Sequence, residues 1–168
     1  MNENDCVLQP PGIRHRVLEA SKGLEVIEVS SPAEHETFRD HALELPNSMF
    51  HLDRKYGDQR FVYHEAATAT WRTTEGVMIE ETGIATATTG LASVRVLHIG
   101  GTAQCSHNGD FLFLYVLKGR AYLTGTGLNP QTLEADDCCT LPDGADYVLT
   151  GDAGCEVLEV ALPAIRSN

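Results

Sequence analysis

The sequence predicts an all-β fold, a β-barrel or β-sandwich, over its C-terminal part. Glycine-containing or acidic turns such as Gly100-Gly101, Asn108-Gly109 and Asp143-Gly144 separate a series of short apolar runs. These runs are VRVLHI, FLFLYVLKG, AYLTG, YVLTG and CEVLEVAL. Short strands at even spacing with turn signals between them are typical of barrels and sandwiches, so each run is interpreted as a strand.

The composition indicates a soluble globular protein with one main domain. The chain has 168 residues, of which 42% are hydrophobic and 21% are charged, and this length allows one good core plus extensions. The formal net charge of −12 argues against a nucleic-acid partner, because a polyanion requires a basic face. No apolar run approaches the roughly 20 residues that cross a bilayer. The N-terminus also lacks the basic and apolar segments of a signal peptide, so no membrane association is expected.

Cysteine usage predicts a cytoplasmic protein. Five cysteines occur at irregular spacing and without a CxxC pair. An odd and irregular set does not suit a disulfide framework, so a reducing compartment fits best. Cys138, Cys139 and Cys155 are interpreted as small buried hydrophobic residues on strands.

Residues 1–30 are predicted to add a segment of two or three strands to the barrel. CVLQ and HRVLEA lie on either side of Pro10-Pro11-Gly12, a turn that continues neither a ladder nor a helix. The following LEVIEVS, residues 24–30, alternates apolar and polar positions. That period of two predicts a strand with one buried face.

Residues 31–60 are predicted to be a partly helical connector that packs along the barrel. The stretch is polar, charged and interrupted by prolines, and Pro32 after Ser31 suits the first position of a short helix. His35 and His41 stand among carboxylates. Their separation does not place them on one helix face, which favours a solvated surface over a metal site.

Residues 61–164 are predicted to form the barrel itself, with Arg60 and His64 near its mouth. A strand through His64 could enter the mouth, and Arg60 just before it could hold a carboxylate with two hydrogen bonds. A structural salt bridge is the alternative for Arg60. The threonine-rich residues 82–89 are predicted to be a loop between two strands.

An internal repeat links the two ends of the chain. Residues 5–29, DCVLQPPGIRHRVLEASKGLEVIEV, parallel residues 137–160, DCCTLPDGADYVLTGDAGCEVLEV. Both begin with Asp-Cys and continue through a Pro/Gly turn, a short strand and a second glycine turn to LEVIEV or CEVLEV. One supersecondary unit is therefore predicted to occur twice.

On these residues the chain resembles the cupin family of small jelly-roll barrels. Cupins carry two motifs, G-x5-H-x-H-x3,4-E-x6-G and G-x5-P-x-G-x2-H-x3-N. YVLKG, residues 115–119, is similar to the end of the first motif, and Pro142-x-Gly144 keeps part of the second. The resemblance implies a cupin-like jelly-roll barrel in which the motif histidines and glutamate hold a divalent metal. Such a shell of imidazoles and a carboxylate leaves positions open for a substrate or for oxygen.

Most of the metal-ligand positions implied by the resemblance hold other residues. Counting back from Gly119 places the glutamate position at Leu112 and the two histidine positions at Cys105 and His107. The histidine position of the second motif is Tyr147. One good ligand thus remains in the second copy of the repeat, and no carboxylate.

The changed motifs predict a pocket without a catalytic metal. With the shorter motif spacing, the two histidine positions fall on Ser106 and Asn108 instead. If a metal such as Fe, Mn, Ni or Zn does bind, His107 and Cys105 are its expected ligands, with Tyr147, His98 or His64 as further candidates. The candidate ligand-pocket residues are Arg60, His64, Cys105, His107, Tyr115 and Tyr147.

The first copy of the repeat keeps the metal-ligand histidine of the second cupin motif, which the second copy has lost. Pro10-x-Gly12-x-x-His15 retains the second-motif histidine, but the chain has no counterpart of the first motif upstream of it. Residues 1–30 therefore resemble the back half of an upstream cupin, and the whole chain resembles the C-terminal part of a two-cupin protein. Cupins commonly dimerise by exchanging N-terminal strands, so the resemblance implies a homodimer.

Three functions remain open from the sequence. The favoured one is a barrel that binds or senses a small molecule without a catalytic metal. The first alternative is a metal-dependent cupin enzyme, of dioxygenase or isomerase type, with a non-standard ligand set. The second alternative is a structural or assembly half of a two-cupin protein without pocket chemistry. Fold alone does not decide between them.

Overall fold

Antiparallel sheets dominate the computed structural model, which describes residues 1–42, 44, 51, 53–74 and 76–164. Two short helical segments accompany the strands, a 3-10 turn at Ala66–Thr68 and one α-helical turn, α1, at Ile84–Ala87. In the described residues the strands are β1 (Cys6–Leu8), β2 (Lys55–Tyr56), β3 (Gln59–Arg60), β4 (Val62–His64), β5 (Trp71–Thr74), β6 (Val77–Glu81), β7 (Ser93–Ile99), β8 (Thr102–Ser106), β9 (Phe111–Lys118), β10 (Arg120–Gly125), β11 (Gln131–Glu134), β12 (Cys138–Leu141), β13 (Asp146–Gly151) and β14 (Cys155–Leu162).

The barrel consists of a six-stranded and a four-stranded sheet. The larger sheet has the order β12-β9-β14-β7-β6-β5, and the smaller has the order β11-β10-β13-β8. Strands that are neighbours in space are mostly distant in sequence, as in a jelly roll. The all-β jelly-roll prediction is therefore confirmed, and each of the five apolar runs of the C-terminal part is a strand.

The core lies between the two sheets and is built by alternate residues of each strand. Leu112, Leu114 and Val116 of β9 face Leu149 of β13 and Val157 of β14 within one buried cluster, and all five are fully buried. Because strand side chains alternate between faces, this cluster fixes which positions point inward. Each such side chain contributes roughly 1.5–3 kcal/mol through the burial of apolar surface.

The N-terminal strand lies outside the barrel, on the larger sheet. β1 pairs with β4, so that Cys6 lies opposite His64. His64 contacts Glu80 of β6, and Glu80 follows Ile79, which points into the core. Glu80 therefore faces the outer side of the sheet, and β1 with β4 covers that side.

The rest of the N-terminal segment differs from the sequence prediction. Residues 14–42 contain no strand or helix and are exposed throughout, so the predicted strands HRVLEA and LEVIEVS and the helix expected after Ser31 do not form. Val17, Leu18 and Val26 are each more than 70% exposed. The physical reason is that a strand requires a hydrogen-bonded neighbour, and no described residue of the chain pairs with this segment.

The connector also departs from its prediction in the part that the structure describes. Residues 55–60 form a small hairpin of β2 and β3, and no helix occurs in the described residues between 31 and 60. The remainder, residues 43, 45–50 and 52, lies outside the described residues. The loop predicted at residues 82–89 does connect two strands, and it contains α1. None of the described helices is long and apolar enough to cross a membrane.

Candidate functional site

A polar cluster lies inside the barrel at the centre of its apolar strands. Arg95 of β7 and Glu159 of β14 are directly opposite in register, and Arg95 Nε donates to Glu159 Oε1 at 2.7 Å. A second guanidinium nitrogen, Nη2, donates to the same oxygen. The other carboxylate oxygen accepts a hydrogen bond from the Tyr147 hydroxyl at 3.2 Å. All three residues are buried.

The surroundings keep Tyr147 protonated. Burial raises the pKa of its hydroxyl far above the ordinary value, and the negative charge of Glu159 and the neighbouring Cys105 raise it further. The tyrosine therefore acts as a hydrogen-bond donor to Glu159 rather than as a phenolate. A buried carboxylate needs such donors in addition to its ion partner, because each unpaired lone pair in the interior is costly.

Cys105 of the neighbouring strand β8 and His107, the residue that follows the end of that strand, extend this cluster. Cys105 pairs in register with Tyr147, and the backbone N–H of His107 donates to the carbonyl of Ala145 at 2.9 Å. His107 lies two residues beyond Cys105 and four beyond the core residue Ala103. It therefore shares their inward direction.

His107 is the unsatisfied member of the cluster. Its side chain is buried, and Nε2 has no hydrogen-bond partner among the described residues. Leaving a buried polar group unpaired costs about 1–3 kcal/mol, and native structures contain few such groups. An orphaned ring nitrogen inside a barrel is a feature that a bound molecule would explain.

A tight turn after β8 closes the barrel over His107. A Cβ placed on Gly109 would lie 3.0 Å from His107 Cε1, 2.9 Å from the carbonyl oxygen of Leu162 and 3.1 Å from Pro163 Cδ. Such distances leave no room for a side chain at this position. The end of β14 and residues 108–110 therefore meet directly above the imidazole.

The residues present do not fit a family-type metal centre. Leu112 occupies the position of the motif glutamate, and it is fully buried with no donor atom. The interior carboxylate, Glu159, already accepts bonds from Arg95 and Tyr147. Among the described residues, no group of three or more His, Cys, Asp and Glu side chains has the geometry to hold a metal ion.

The structure places some of the pocket residues predicted from sequence inside the barrel and others outside it. Cys105, His107 and Tyr147 come together in the interior, as the motif positions predict. Tyr115 instead lies on the outer face of β9, where its hydroxyl donates to Asp136 Oδ1 at 2.8 Å. Arg60 is exposed on the β2–β3 hairpin, and its place near the mouth of the barrel stays a prediction.

His64 belongs to a second buried cluster, on the outer face of the larger sheet. Its Nε2 pairs with Glu80 Oε1, with the two side chains 12% and 5% exposed. Cys6 lies beside them, and burial, followed by the charge of Glu80, raises the pKa of its thiol to about 11. The strand through His64 therefore does not enter the barrel mouth, and these residues attach β1 and β4 to the sheet.

The other histidines considered as ligands also lie outside the interior. His98 stacks edge-on with Trp71, with ring centroids 3.7 Å apart, and its Nδ1 lies 3.6 Å from Glu156 Oε1. Trp71 is 38% exposed. His15 is exposed in the N-terminal segment. Neither histidine approaches the cluster around His107.

Sequence reasoning missed Arg95 and Glu159, which form a charged pair in the interior. A signal for them exists in the strand patterns. In SVRVLHI, Arg95 shares its alternation with Leu97 and Ile99, which are both core residues. In CEVLEVAL, Glu159 likewise alternates with Val157. A charged residue at an inward position of an otherwise apolar strand indicates a buried functional or structural pair.

Comparisons with known proteins show the fold. No protein-family model matches the chain, and no curated protein matches it by sequence. A protein described as ethanolamine utilization protein Q from Salmonella typhimurium is similar in structure, with a TM-score of 0.53, 15% identity, and coverage of 62% of this chain and 87% of that one. KdgF from a Halomonas species has a TM-score of 0.51, 15% identity, and coverage of 62% and 94%.

A third similar structure is an RmlC-like cupin from Shewanella frigidimarina. It has a TM-score of 0.49, 14% identity, and coverage of 60% of this chain and 88% of that one. The two structures with TM-scores above 0.5 confirm the cupin-type fold predicted from the motif frame. At these identities the likeness shows the fold alone, so the function has to be argued from the residues of the site.

Proposed function

We propose that this chain binds a small polar molecule inside its cupin barrel, next to His107, without a catalytic metal. The observation that carries the proposal is the buried and unpartnered Nε2 of His107. Tyr147, Cys105 and the Arg95–Glu159 pair are further polar groups of the same interior. An apolar enclosure with a few convergent polar groups is typical of small-molecule sites.

The choice of a metal-free site follows from the donor atoms. Cys105 and His107 are two interior ligands without an uncommitted carboxylate, and Leu112 and Tyr147 replace two of the ligands that cupin motifs supply. A metal-dependent dioxygenase or isomerase needs a firmly held ion with open coordination positions. Two ligands on one strand do not build such a centre.

Elemental analysis separates the binding protein from the metal enzyme. The protein is purified without a histidine tag, and Fe, Mn, Ni and Zn are quantified beside the variant His107→Ala. We expect less than stoichiometric metal in both samples. Stoichiometric metal that is lost in His107→Ala would overturn the metal-free proposal in favour of the enzyme.

A ligand screen separates the binding protein from a purely structural role. Thermal unfolding is followed with a library of small polar metabolites, and compounds that stabilise the wild type are retested on His107→Leu and His107→Gln. We expect stabilisation of the wild type and of the control His15→Leu, which alters an exposed histidine. Stabilisation that persists fully in His107→Leu would place the ligand elsewhere and contradict the proposed site.

We further propose that two copies of the chain associate through residues 14–29. This segment exposes Val17 and Val26 by 75% and 72%, and exposed apolar stretches of this kind are typical of interaction sites. In the internal repeat, residues 24–29 correspond to β14, and β14 is hydrogen-bonded on both edges, to β7 and to β9. The same pattern in residues 24–29 suits a strand that gains its neighbour from a second copy.

Size-exclusion chromatography with light scattering tests the dimer. At micromolar concentration we expect twice the chain mass of 18.3 kDa, and a shift to the monomer in the double variant V17E/V26E. Glu25→Gln, on the polar side of the same alternation, serves as the control and should remain dimeric. A monomeric wild type at that concentration would exclude the association.

The proposed location is the cytoplasm, because the thiols of this chain suit a reducing compartment. All five cysteines are free, and Cys138 is exposed. An exposed thiol persists where glutathione keeps it reduced. Cell fractionation tests this location directly, and recovery from an oxidising compartment would contradict it.

A further inference from the structure

We propose that the barrel interior is specific for an uncharged ligand that hydrogen-bonds to His107 Nε2, admitted by an opening of the turn at residues 108–110. This inference rests on the proposed function, and it adds the chemical class of the ligand and the route by which it enters. Two observations carry it, the charge balance of the interior cluster and the position of Gly109.

The charges within the cluster are already matched. Arg95 is bound by Glu159 through two guanidinium nitrogens, and the Tyr147 hydroxyl is used to satisfy the second carboxylate oxygen. On the neighbouring strand β6, Glu81 is paired with Arg72 at 3.0 Å. An ionic ligand entering this region would be buried without a countercharge of its own, which is costly in a low-dielectric interior.

The orphaned nitrogen defines what the ligand must offer. An imidazole nitrogen either donates a hydrogen bond through its N–H or accepts one from a donor, depending on the tautomer. A hydroxyl group or a primary amide can satisfy Nε2 in either tautomer, whereas an aliphatic group cannot. Because His107 lies two residues beyond Cys105 in the inward-facing row, the ligand would contact the imidazole from within the barrel.

The turn above His107 determines how a ligand gains access. The imidazole is 1% exposed, so a ligand reaches it only when the cover moves. Gly109 contacts the end of β14 so closely that an added Cβ would be 2.9 Å from the Leu162 carbonyl oxygen. The turn lies between the His107–Ala145 backbone hydrogen bond and the Phe111–Leu162 pair of β9 and β14, so a displacement confined to residues 108–110 would leave the strand ladders intact.

Matched probes of different charge test the ligand class. Histidine-labelled protein is studied by nitrogen-detected NMR at pH 8 with propionamide, 1-propanol and propionate as the probes. These three compounds are similar in size, and they differ in charge and in hydrogen-bonding group. We expect propionamide and 1-propanol to shift the His107 Nε2 resonance and propionate to leave it unchanged. The His15 resonance is the internal control, because that residue is exposed.

The outcomes distinguish this inference from the proposed function. A shift of His107 Nε2 by propionate as large as that by propionamide would overturn the neutral class while leaving an interior binding site in place. No shift by any of the three probes, together with a failed metabolite screen, would overturn both. His107→Gln keeps a hydrogen-bonding group, and we expect it to retain saturable propionamide binding that His107→Leu loses.

Discussion

Arg95 and Glu159 face each other across β7 and β14 and form an ion pair inside the barrel. Their side chains are 10% and 1% exposed, whereas those of Arg120 and Asp152, which pair at 2.9 Å on the surface, are 53% and 61% exposed. The two pairs have the same chemistry in different dielectric surroundings. Their contributions to stability should differ accordingly.

Loss of the Glu159 charge should destabilise the fold strongly. Glu159→Gln leaves the Arg95 guanidinium buried without its countercharge, and breaking a buried pair in this way costs about 3–5 kcal/mol. The matched control, Asp152→Asn, removes the surface partner and should cost about 0–1 kcal/mol. Urea unfolding of both variants measures the two free energies.

The double replacement R95M/E159L sharpens this test. Apolar residues of similar volume remove both charges together, and such replacements are often neutral or stabilising. We therefore expect the double variant to recover most of the stability lost in Glu159→Gln. A double variant as unstable as the single one would show that the cost comes from packing, or from the Tyr147 hydroxyl that loses its acceptor, and not from an unpaired charge.

Tyr147 should make the fold sensitive to alkaline pH. Burial raises the pKa of its hydroxyl above the ordinary value of 10.0, so in the unfolded chain the same group loses its proton at lower pH. The contribution of the protonated Tyr147 hydroxyl to the free energy of unfolding is complete below pH 10 and decreases as the pH rises above it. Tyr147→Phe should therefore flatten the loss of stability above pH 10, measured by urea unfolding at a series of pH values. Equal slopes in wild type and variant would contradict the prediction.

Cys6 should react slowly with alkylating agents while β1 stays on the sheet. A rise of its pKa from 9.0 to about 11 lowers the fraction of reactive thiolate at pH 8 about a hundredfold. Iodoacetamide should therefore modify the exposed Cys138 first, as followed by mass spectrometry of the peptides. His64→Ala leaves Glu80 buried and unpaired, which favours detachment of β1 and β4 and should accelerate the labelling of Cys6.

The labelling experiment has its own control. Replacing His98, which lies on the same face but contacts Trp71 and Glu156, should leave the Cys6 rate unchanged. If Cys6 and Cys138 react at the same rate in the wild type, the burial of β1 against the sheet would be refuted.

The sequence predicts those strands whose partners are present in the chain. Runs such as FLFLYVLKG and CEVLEVAL pair with each other along their length, so their local pattern and their long-range pairing agree. LEVIEV has the same local pattern and forms no strand, because a pattern describes one face and not the neighbour that completes the ladder. Local sequence therefore indicates the capacity for a strand, and pairing decides whether it forms.

The residues of the candidate site, like the strands, could be predicted from the sequence only in part. Motif spacing singled out Cys105, His107 and Tyr147, and the pairing of β8 with β13 places these three residues near one another. It did not reveal Arg95 and Glu159, which belong to strands without motif positions. Their inward direction depends on a register that a shift of one residue would reverse, and only the paired strands of the structure determine it.

Gly109 provides a direct test of the turn that covers His107. In Gly109→Ala the new methyl group would lie within 2.9 Å of the Leu162 carbonyl oxygen and 3.1 Å of Pro163 Cδ. Overpacking of this kind costs about 1–3 kcal/mol, and the turn can relieve it by moving away from β14. We therefore expect the rate of His107 carbethoxylation by diethyl pyrocarbonate, measured by peptide mass spectrometry, to rise about tenfold or more as the closed state is destabilised.

Three comparisons make the Gly109 result interpretable. Gly100→Ala serves as the control, since a Cβ there would meet no atom within 4 Å and the backbone does not require a positive φ, and it should leave the His107 rate unchanged. The exposed His15 should react at the same rate in all variants. Because a general loss of stability would expose every buried group, Cys155 labelling is measured in parallel, and it should remain slow. A Gly109→Ala protein in which His107 stays as protected as in the wild type would show that this turn does not control access to the interior.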